Sequence, residues 1–340
     1  MKNLVITGDS LSYNRYGYDD TPRMNAYDCH IGMNSWSFRL RNDFITSAPG
    51  FKFGDELKFS ENTVPGMGNG IDDINAVFGK RVVTITPEND VINFSAESDT
   101  GEIVVYFQCR SDNYCRFNIF SDGKLVKKAV ETYGDNSDFQ GYGIKTVKFN
   151  CDKEKTVHKI TLSDFECTEN APLVTIAGIS TEERCAYLTG QGSRTAKFLL
   201  YHFNDRIAKY SPDMLILIFG GNDFIFYSEC EYKAYLEKIF ERIKREFPAC
   251  KIITLTIPPS GKIKDEVRGI KIESDKELNI ILDNYNNILE TLSEKNGALC
   301  IKLKDIFKDV SPDVWRYDNV HLSNKGNDML YDVLSNLDFC

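Results

Sequence analysis

The sequence predicts an α/β fold, a doubly wound (flavodoxin-like) parallel sheet with helices on both faces, interrupted by an inserted antiparallel β-sandwich domain. Three observations lead to this prediction: apolar runs at strand and helix spacing alternate after residue 173, the segment from about 50 to 172 has no helical stripe, and an isolated strand opens the chain. A chain of 340 residues is also long for one hydrophobic core. We therefore expect a discontinuous α/β domain, residues 1–49 and 173–340, and an inserted domain, residues 50–172.

Two short apolar patterns near the start of the chain predict the first strand and the first helix. Residues 4–7 are an apolar run that ends at a Gly-Asp-Ser turn, which predicts a buried strand feeding a tight turn. Trp36, Leu40 and Phe44 then recur four residues apart, the apolar stripe of a helix.

The sequence predicts β structure throughout the middle of the chain. Turn signals, including Ser121-Asp122-Gly123, separate short β-rich runs. These runs are residues 81–85, 91–94, 103–108, 115–120, 145–149 and 157–162. Short strands at this spacing are typical of an antiparallel sandwich.

The last part alternates between the two periodicities. We expect strands at 173–179, 214–219, 252–257 and 299–303, with helices at 193–209, around 232–243, around 278–292 and at 323–337. Gly297 is placed to end the third of these helices. Strand–helix alternation of this kind builds a parallel sheet, so the first strand belongs with this part of the chain.

Composition excludes some functions. Apolar residues make up 42% and charged residues 27%, both ordinary for a globular protein. The net charge of -9 argues against nucleic acid or an anionic membrane as the main partner, because both require a basic face. The sequence gives no indication of oligomeric state.

The ten cysteines do not form a metal-binding pattern. No pair has C-x-x-C spacing, and no histidine stands at ligand spacing beside one, so we expect no metal and no cofactor. Met1-Lys2-Asn3 leads directly into an apolar run too short for a signal peptide, and no later run is long enough to cross a bilayer. We therefore expect a cytoplasmic protein with reduced thiols.

Four polar motifs fall where strands of the predicted sheet end. Each alone is ordinary turn or helix-entrance material, but ligands collect outside the carboxyl ends of parallel strands, so their order and placement together predict one active site. The motifs are Gly8-Asp9-Ser10-Leu11, Gly190-Gln191-Gly192-Ser193, Gly220-Gly221-Asn222-Asp223 and Asp318-Asn319-Val320-His321.

In these four motifs the chain resembles the SGNH/GDSL hydrolases, whose conserved blocks supply Ser, Gly, Asn and His in this order. The resemblance covers residues 1 to about 45 and 173–340. It implies a serine ester hydrolase with Ser10, Asp318 and His321 as catalytic residues, and with an oxyanion hole formed by Ser10, Gly192 and Asn222.

The chemistry suits these residue types. A serine hydroxyl becomes a useful nucleophile when a neighbouring base takes its proton, and His321 can be that base. Asp318 can accept a hydrogen bond from the other ring nitrogen and so fix the tautomer. Asn222 and two backbone N–H groups can stabilise the tetrahedral intermediate.

The remaining candidates have no comparable pattern. His202 falls within a predicted helix and His158 within the β-rich segment, where structural roles are favoured. His30 could line the rim of the cleft. Trp315 and Arg316, just before the fourth motif, could either contact substrate or pack.

The expected function is removal of a small acyl group, acetyl in the simplest case, from a carbohydrate or glycan through an acyl-Ser10 intermediate. The inserted domain resembles the carbohydrate-binding module of some SGNH acetylesterases, and a packing or dimerisation role is equally compatible. Two alternatives stay open: a carbohydrate O-acetyltransferase with the same triad, and a non-catalytic glycan-binding protein.

Overall fold

The computed structural model describes residues 2–13, 35–60, 83–85, 91–109, 115–132, 143–167, 174–261 and 264–337. The chain divides into two compact units, residues 1–41 with 186–340, and residues 42–185.

The strands and helices of the described residues follow in chain order. The strands are β1 Asn3–Gly8, β2 Lys52–Phe53, β3 Lys58–Phe59, β4 Val83–Ile85, β5 Val91–Glu97, β6 Glu102–Cys109, β7 Cys115–Ser121, β8 Lys124–Glu131, β9 Gly143–Asn150, β10 Val157–Cys167, β11 Val174–Ser180, β12 Cys185–Leu188, β13 Met214–Ile218, β14 Lys251–Leu255, β15 Glu266–Val267, β16 Ile270–Lys271 and β17 Leu299–Ile301. The helices are α1 Ser10–Tyr13, α2 Trp36–Thr46, α3 Ala196–Tyr201, α4 Phe203–Arg206, α5 Asp223–Phe226, α6 Glu229–Glu246, α7 Asp275–Lys295, α8 Leu303–Phe307, α9 Pro312–Trp315 and α10 Asn324–Ser335. Short 3-10 turns lie at Gly54–Glu56 and Ala208–Tyr210.

The first unit is built on a five-stranded parallel sheet in the order β12-β1-β13-β14-β17. Numbered along the chain, these strands run 2-1-3-4-5, which is the flavodoxin-like order. The predicted doubly wound α/β fold is therefore confirmed. In this order the direction of winding reverses between β1 and β13, and open α/β sheets bind ligands at such a switch point.

The register of the two central strands places their ends together. β1 pairs in parallel with β13, and Gly8 lies opposite Ile218. Every residue of β13 is buried, as expected for a strand covered on both faces. Whatever follows these two strands must therefore emerge at the same edge of the sheet.

The long helices begin and end as their sequences predict. Ser228 caps α6 by accepting from the backbone N–H of Glu231, whose side chain in turn accepts from the Ser228 N–H. Ser274 caps α7, and Gly297 follows it with a φ of 70°. Both helices bury one apolar stripe against the sheet.

The second unit is a β-sandwich, as predicted. One sheet has the order β3-β5-β10-β7-β8, the other the order β2-β11-β6-β9 with β4 added to β11, and the pairs within both are antiparallel. Inward-facing residues of both sheets form one core, with Phe94 and Phe117 from the first and Phe107 and Ile176 from the second.

The strand predicted at 173–179 exists as β11, but its assignment to the parallel sheet is wrong. β11 pairs with β2, β4 and β6 inside the sandwich. A continuous apolar run predicts burial on both faces and does not distinguish a parallel from a sandwich strand. The strand next to β1 is the four-residue β12, so the observed units divide at 41/42 and 185/186 rather than at 49/50 and 172/173.

One pair of cysteines departs from the expectation of reduced thiols. Cys115 and Cys167 lie opposite each other on β7 and β10 and form a disulfide. The expectation is wrong for this pair. Disulfides are typical of oxidising compartments, so the pair weighs against the expected cytoplasmic location.

Across the described part of the chain, none of the helices has both the length and the apolar character needed to cross a bilayer.

Candidate active site

The turn after β1 presents Ser10 at the edge of the sheet. Gly8 has a φ of 155°, and a Cβ there would lie 2.2 Å from the carbonyl oxygen of Ile218, so only glycine fits against β13. The buried Asp9 accepts from the Leu11 N–H at 2.9 Å. The turn is thereby fixed, and Ser10 begins α1.

The second motif lies beside this turn. The Gln191 N–H donates to the Gly8 carbonyl at 3.0 Å, which continues the pairing of β12 with β1. A Cβ placed on Gly190 would lie 1.9 Å from Ser12 Oγ, whereas one on Gly192 would lie 4.0 Å from the Cβ of Ser10. Gly190 is therefore required for close packing, and Gly192 brings its backbone alongside Ser10.

The third motif follows β13 and reaches both of the others. Asn222 donates through Nδ2 to the Arg194 carbonyl oxygen at 3.2 Å and to Asp9 Oδ2 at 3.4 Å. The structure thus brings the Asn222 amide to the residue that precedes Ser10 and to the loop that carries Gly192.

Asp223, next in the chain, ties the second and third motifs together. It is completely buried, and its carboxylate accepts from the Ala196 N–H at 2.9 Å and from the Gly220 N–H at 3.2 Å. Burial, helped by the negative charge of Asp9, raises the pKa of Asp223 to about 7 against the lowering effect of these two N–H groups.

The fourth motif forms a compact Asp–His pair. Asp318 Oδ2 lies 2.8 Å from His321 Nδ1, and Asp318 Oδ1 accepts from the backbone N–H groups of Val320 and His321, each at 2.7 Å. Burial alone would raise the pKa of Asp318, but the hydrogen bond and charge of His321, with the two N–H groups, hold it well below its usual range. An ionised Asp318 favours a proton on Nδ1 of His321, so Nε2 is the nitrogen that can take a proton.

Asp9, the residue before Ser10, has a raised pKa. Burial raises the pKa of Asp9 to about 6, while the Leu11 N–H, the charge of His321 and the Asn222 amide act to lower it. His321 is therefore near enough to Asp9 for its charge to be felt. The hydrogen bond from Ser10 to His321 that the triad requires stays a prediction, and such contacts are often long in unliganded enzymes.

The turn that carries the Asp–His pair is held at the same edge of the sheet. The loop after β14 reaches it at Gly261, whose N–H donates to the Asn319 carbonyl at 2.8 Å. A Cβ on Gly261 would lie 2.6 Å from Asn319 Oδ1, so the contact is close.

The other candidate residues lie elsewhere or serve packing. His158 belongs to the second unit, where it is buried beside Asp122. His202 stacks on Phe198, and Trp315 is buried in a stack with Phe307. His30 lies outside the described residues.

Sequence reasoning missed the bonding of two acidic residues. Neither the bond of Asp9 to Asn222 nor the acceptance of two backbone N–H groups by Asp223 follows from the four motifs. The available signal was an apolar strand leading directly into each aspartate-containing motif, which favours a buried carboxylate that needs donors.

Residues 168–329, just under half of the chain, match the family model of the GDSL-like lipase/acylhydrolase family. The chain carries a GDSL-like lipase/acylhydrolase domain. It is therefore a carboxylic ester hydrolase, as the four motifs predicted. The match does not include the Ser10 turn, but it contains Gly192, Asn222, Asp318 and His321.

Three solved structures have some similarity to this chain. A putative GDSL-like lipase from Parabacteroides merdae is 16% identical, with 44% of this chain and 70% of that chain covered and a TM-score of 0.38. A peptidoglycan O-acetylesterase is 13% identical, with 98% and 91% covered and a TM-score of 0.43. An acetylxylan esterase from Geobacillus stearothermophilus is 18% identical, with 45% and 71% covered and a TM-score of 0.37. No curated protein matches the sequence.

Proposed function

We propose that this GDSL-like enzyme removes a small acyl group, acetyl in the simplest case, from a carbohydrate or glycan through an acyl-Ser10 intermediate. The observation that carries the proposal is the Asp318–His321 pair, with 2.8 Å between Oδ2 and Nδ1, in a chain whose Asn222 bonds to the residue that directly precedes Ser10. The family resemblance of the four motifs supports a small acyl group, and the resemblance of the inserted domain to a carbohydrate-binding module supports the sugar.

In the first half-reaction Ser10 Oγ attacks the ester carbonyl carbon. His321 takes the hydroxyl proton on Nε2, and the resulting imidazolium is stabilised by the ionised Asp318 across Nδ1. The tetrahedral intermediate then collapses, the bond to the sugar oxygen breaks, and His321 returns the proton to that oxygen.

The negative charge of the tetrahedral oxygen requires donors in place before the reaction. We assign this role to the N–H groups of Ser10 and Gly192 and to Nδ2 of Asn222. Gly192 lies beside Ser10. Asn222 donates to Asp9, which precedes Ser10, and to the carbonyl of Arg194, which follows the second motif. The three donors therefore lie close together. Removing one such donor typically costs about 10²–10³ in kcat.

The second half-reaction repeats the first with water as the nucleophile. His321 takes a proton from water, the hydroxyl attacks the acyl carbon, and the acid leaves as Ser10 regains its proton. A sugar hydroxyl in place of water would give an O-acetyltransferase with the same residues, so the acceptor distinguishes the two reactions.

The second unit has its own core, and we propose that residues 42–185 are an inserted module of the hydrolase. Its expected carbohydrate-binding role rests on sequence alone and stays a prediction.

A series of p-nitrophenyl esters of increasing acyl length tests the proposal. We expect the highest kcat/KM for the acetyl ester, and an acetyl adduct on Ser10 by mass spectrometry after rapid acid quench. Ser10→Ala should remove both hydrolysis and adduct without a change in Tm, while Ser35→Ala, at a buried serine of the same unit, should retain the adduct. Wild-type turnover by Ser10→Ala would refute the assignment. Transfer of the acetyl group to the hydroxyl of an added sugar, in place of water, would favour the transferase.

A further inference from the structure

Two arginines share one aromatic ring beside the second motif. The guanidinium carbon of Arg194 lies 4.6 Å from the centre of the Phe198 ring, and that of Arg206 lies 5.9 Å from the same centre. We call Arg194, Phe198 and Arg206 the arginine cluster. Both distances are within the range in which a cation is attracted to a ring face.

The cluster is attached to the proposed oxyanion hole on two sides. The carbonyl oxygen of Arg194 accepts from Asn222 Nδ2 at 3.2 Å. Arg206 donates to Gln191 Oε1 at 3.1 Å and to the Thr189 carbonyl at 3.3 Å, so it holds the loop that leads to Gly192. The backbone of Arg194 and the side chain of Arg206 therefore both bond to segments that form the proposed oxyanion hole.

The positive charges of the cluster are not neutralised. In the part of the chain that the structure describes, neither Arg194 nor Arg206 forms an ion pair, although the protein carries a net charge of -9. Arg194 Nε is buried and has no hydrogen-bond partner. A buried donor without an acceptor costs free energy, and a guanidinium pairs most favourably with a planar carboxylate or with phosphate.

Arg242 also lies against an aromatic ring, and its guanidinium is paired with a carboxylate. Its guanidinium lies 4.0 Å from the centre of the Phe203 ring, and its Nε donates to Glu246 at 3.0 Å. Among the described residues, Arg242 on α6 thus pairs with a carboxylate beside its ring, and Arg194 and Arg206 beside the second motif do not.

We propose that Arg194, supported by Arg206, binds an anionic oxygen group of the substrate, so that the enzyme prefers an acetylated acidic sugar to its neutral counterpart. This inference rests on the proposed function. Stacking on Phe198 fixes the plane of the guanidinium, and its in-plane N–H groups then face the substrate anion. A carboxylate and a phosphate share this chemistry, and the test includes both.

The test compares substrates that differ only at one position of the sugar. The three are the methyl glycosides of 2-O-acetylglucose, 2-O-acetylglucuronate and 2-O-acetylglucose 6-phosphate. We expect kcat/KM for one or both acidic substrates to exceed that for the neutral one by about tenfold or more, the size of a hydrogen-bonded charge pair. The substrate with the larger preference identifies the anion.

Arg194→Gln should bring the ratio of acidic to neutral kcat/KM close to one, and Arg194→Lys should restore part of it. Arg242→Gln, which removes the same charge from a stacked arginine that already has a carboxylate, should leave the ratio unchanged. Equal kcat/KM for the three substrates in the wild type, or an unchanged ratio in Arg194→Gln, would overturn the inference.

Two readouts separate this inference from the proposed function. Hydrolysis of p-nitrophenyl acetate, which has no anionic group, reports on the serine mechanism alone. Binding of unacetylated methyl glucuronoside and methyl glucoside 6-phosphate to the Ser10→Ala protein, measured by titration calorimetry, reports on the anion site alone. Should no ester be hydrolysed, binding that Arg194→Gln weakens by about tenfold or more would still support the site, and equal binding by both proteins would refute it.

Discussion

The side-chain amide of Asn222 donates to the buried carboxylate of Asp9, with Nδ2 3.4 Å from Oδ2, and to the Arg194 carbonyl oxygen at 3.2 Å. Both hydrogens of the amide are thus directed at protein acceptors. If Asn222 stabilises an oxyanion, one of the two must be shared with it, and the longer bond to Asp9 is the one that yields more readily. The orientation of the proposed donor therefore depends on Asp9.

Asp9→Asn should lower kcat by roughly 10- to 100-fold with little change in KM, because an amide NH2 group in place of Oδ2 faces Nδ2 of Asn222 and turns it away. Steady-state kinetics with p-nitrophenyl acetate measures this. Asp213→Asn, a change at an aspartate on the opposite, amino end of β13, serves as the control. Unchanged kcat in Asp9→Asn would show that Asn222 is oriented without Asp9.

The raised pKa of Asp9 also predicts how stability depends on pH. Because the folded pKa of about 6 is above the unfolded value of 3.8, the native state binds this proton more tightly, and the resulting stabilisation is complete below pH 4 and lost as pH rises through 6. Compared with wild type at each pH, Asp9→Asn should therefore gain about 2.4 kcal/mol of stability between pH 4 and pH 7, at about 1.4 kcal/mol per pKa unit. Urea unfolding at pH 4, 5, 6 and 7 measures the difference, and a constant difference would contradict the burial argument.

Removal of the Asp223 carboxylate should destabilise the first unit. Asp223→Ala leaves the N–H groups of Ala196 and Gly220 without their acceptor in a buried place, at a cost of about 2–4 kcal/mol in the free energy of unfolding. Asp205→Ala is the control, since its carboxylate is 77% exposed and should contribute less than about 0.5 kcal/mol. An equal loss of unfolding free energy in the two variants would show that water replaces Asp223 as the acceptor of the two N–H groups.

The two glycines of the second motif should respond differently to alanine. Gly190→Ala puts a methyl group on Ser12 Oγ, which must leave its bond to the Asp9 carbonyl, and should cost about 1–3 kcal/mol of stability. Gly192→Ala has room, so it should fold normally but lower kcat/KM by narrowing the space beside Ser10. Thermal unfolding and kinetics of both variants test this, and a larger loss of Tm in Gly192→Ala would invert the assignment.

Most of the fold was predictable because its signals are local. The sequence alone is enough to recognise apolar runs such as Met214–Ile218 and capped helices such as Glu229–Glu246. The sheet that a strand joins is a tertiary property, and this is why Val174–Ser180 was assigned to the wrong sheet. The four-residue strand Cys185–Leu188, which takes its place beside β1, is too short to show a period.

The candidate site was predictable as a set of motifs and not as a network. Spacing alone indicates the Asp318–His321 pair, because both side chains come from one turn. The bond from Asn222 to Asp9 joins residues 213 positions apart, and only the register of β1 with β13 brings them together. The buried state of Asp223 likewise depends on helices that pack from elsewhere in the chain.

The Cys115–Cys167 disulfide should contribute to the stability of the second unit. It closes a loop with a sequence separation of 52 residues, for which the chain-entropy model gives about 4 kcal/mol. The double variant Cys115→Ala/Cys167→Ala should unfold at lower temperature, whereas Cys230→Ala, at an exposed free cysteine, should not. Mass spectrometry of an unreduced digest should show the linked peptides, and their absence would restore the expectation of reduced thiols.

Asp318→Asn tests the role of the Asp–His pair. Asparagine can keep Oδ1 as the acceptor for the N–H groups of Val320 and His321, so the turn should persist. Its NH2 group would then face Nδ1 of His321, which favours the tautomer with the proton on Nε2, the nitrogen that must accept the Ser10 proton. The expected result is a fall in kcat of up to about 10⁴-fold with KM and Tm nearly unchanged. The ¹⁵N chemical shifts of the His321 ring report the tautomer directly and would not move if Asp318 only supported the turn. Asp313→Asn, at an exposed residue of α9, provides the control for charge. A wild-type kcat/KM in Asp318→Asn would show that another group orients His321.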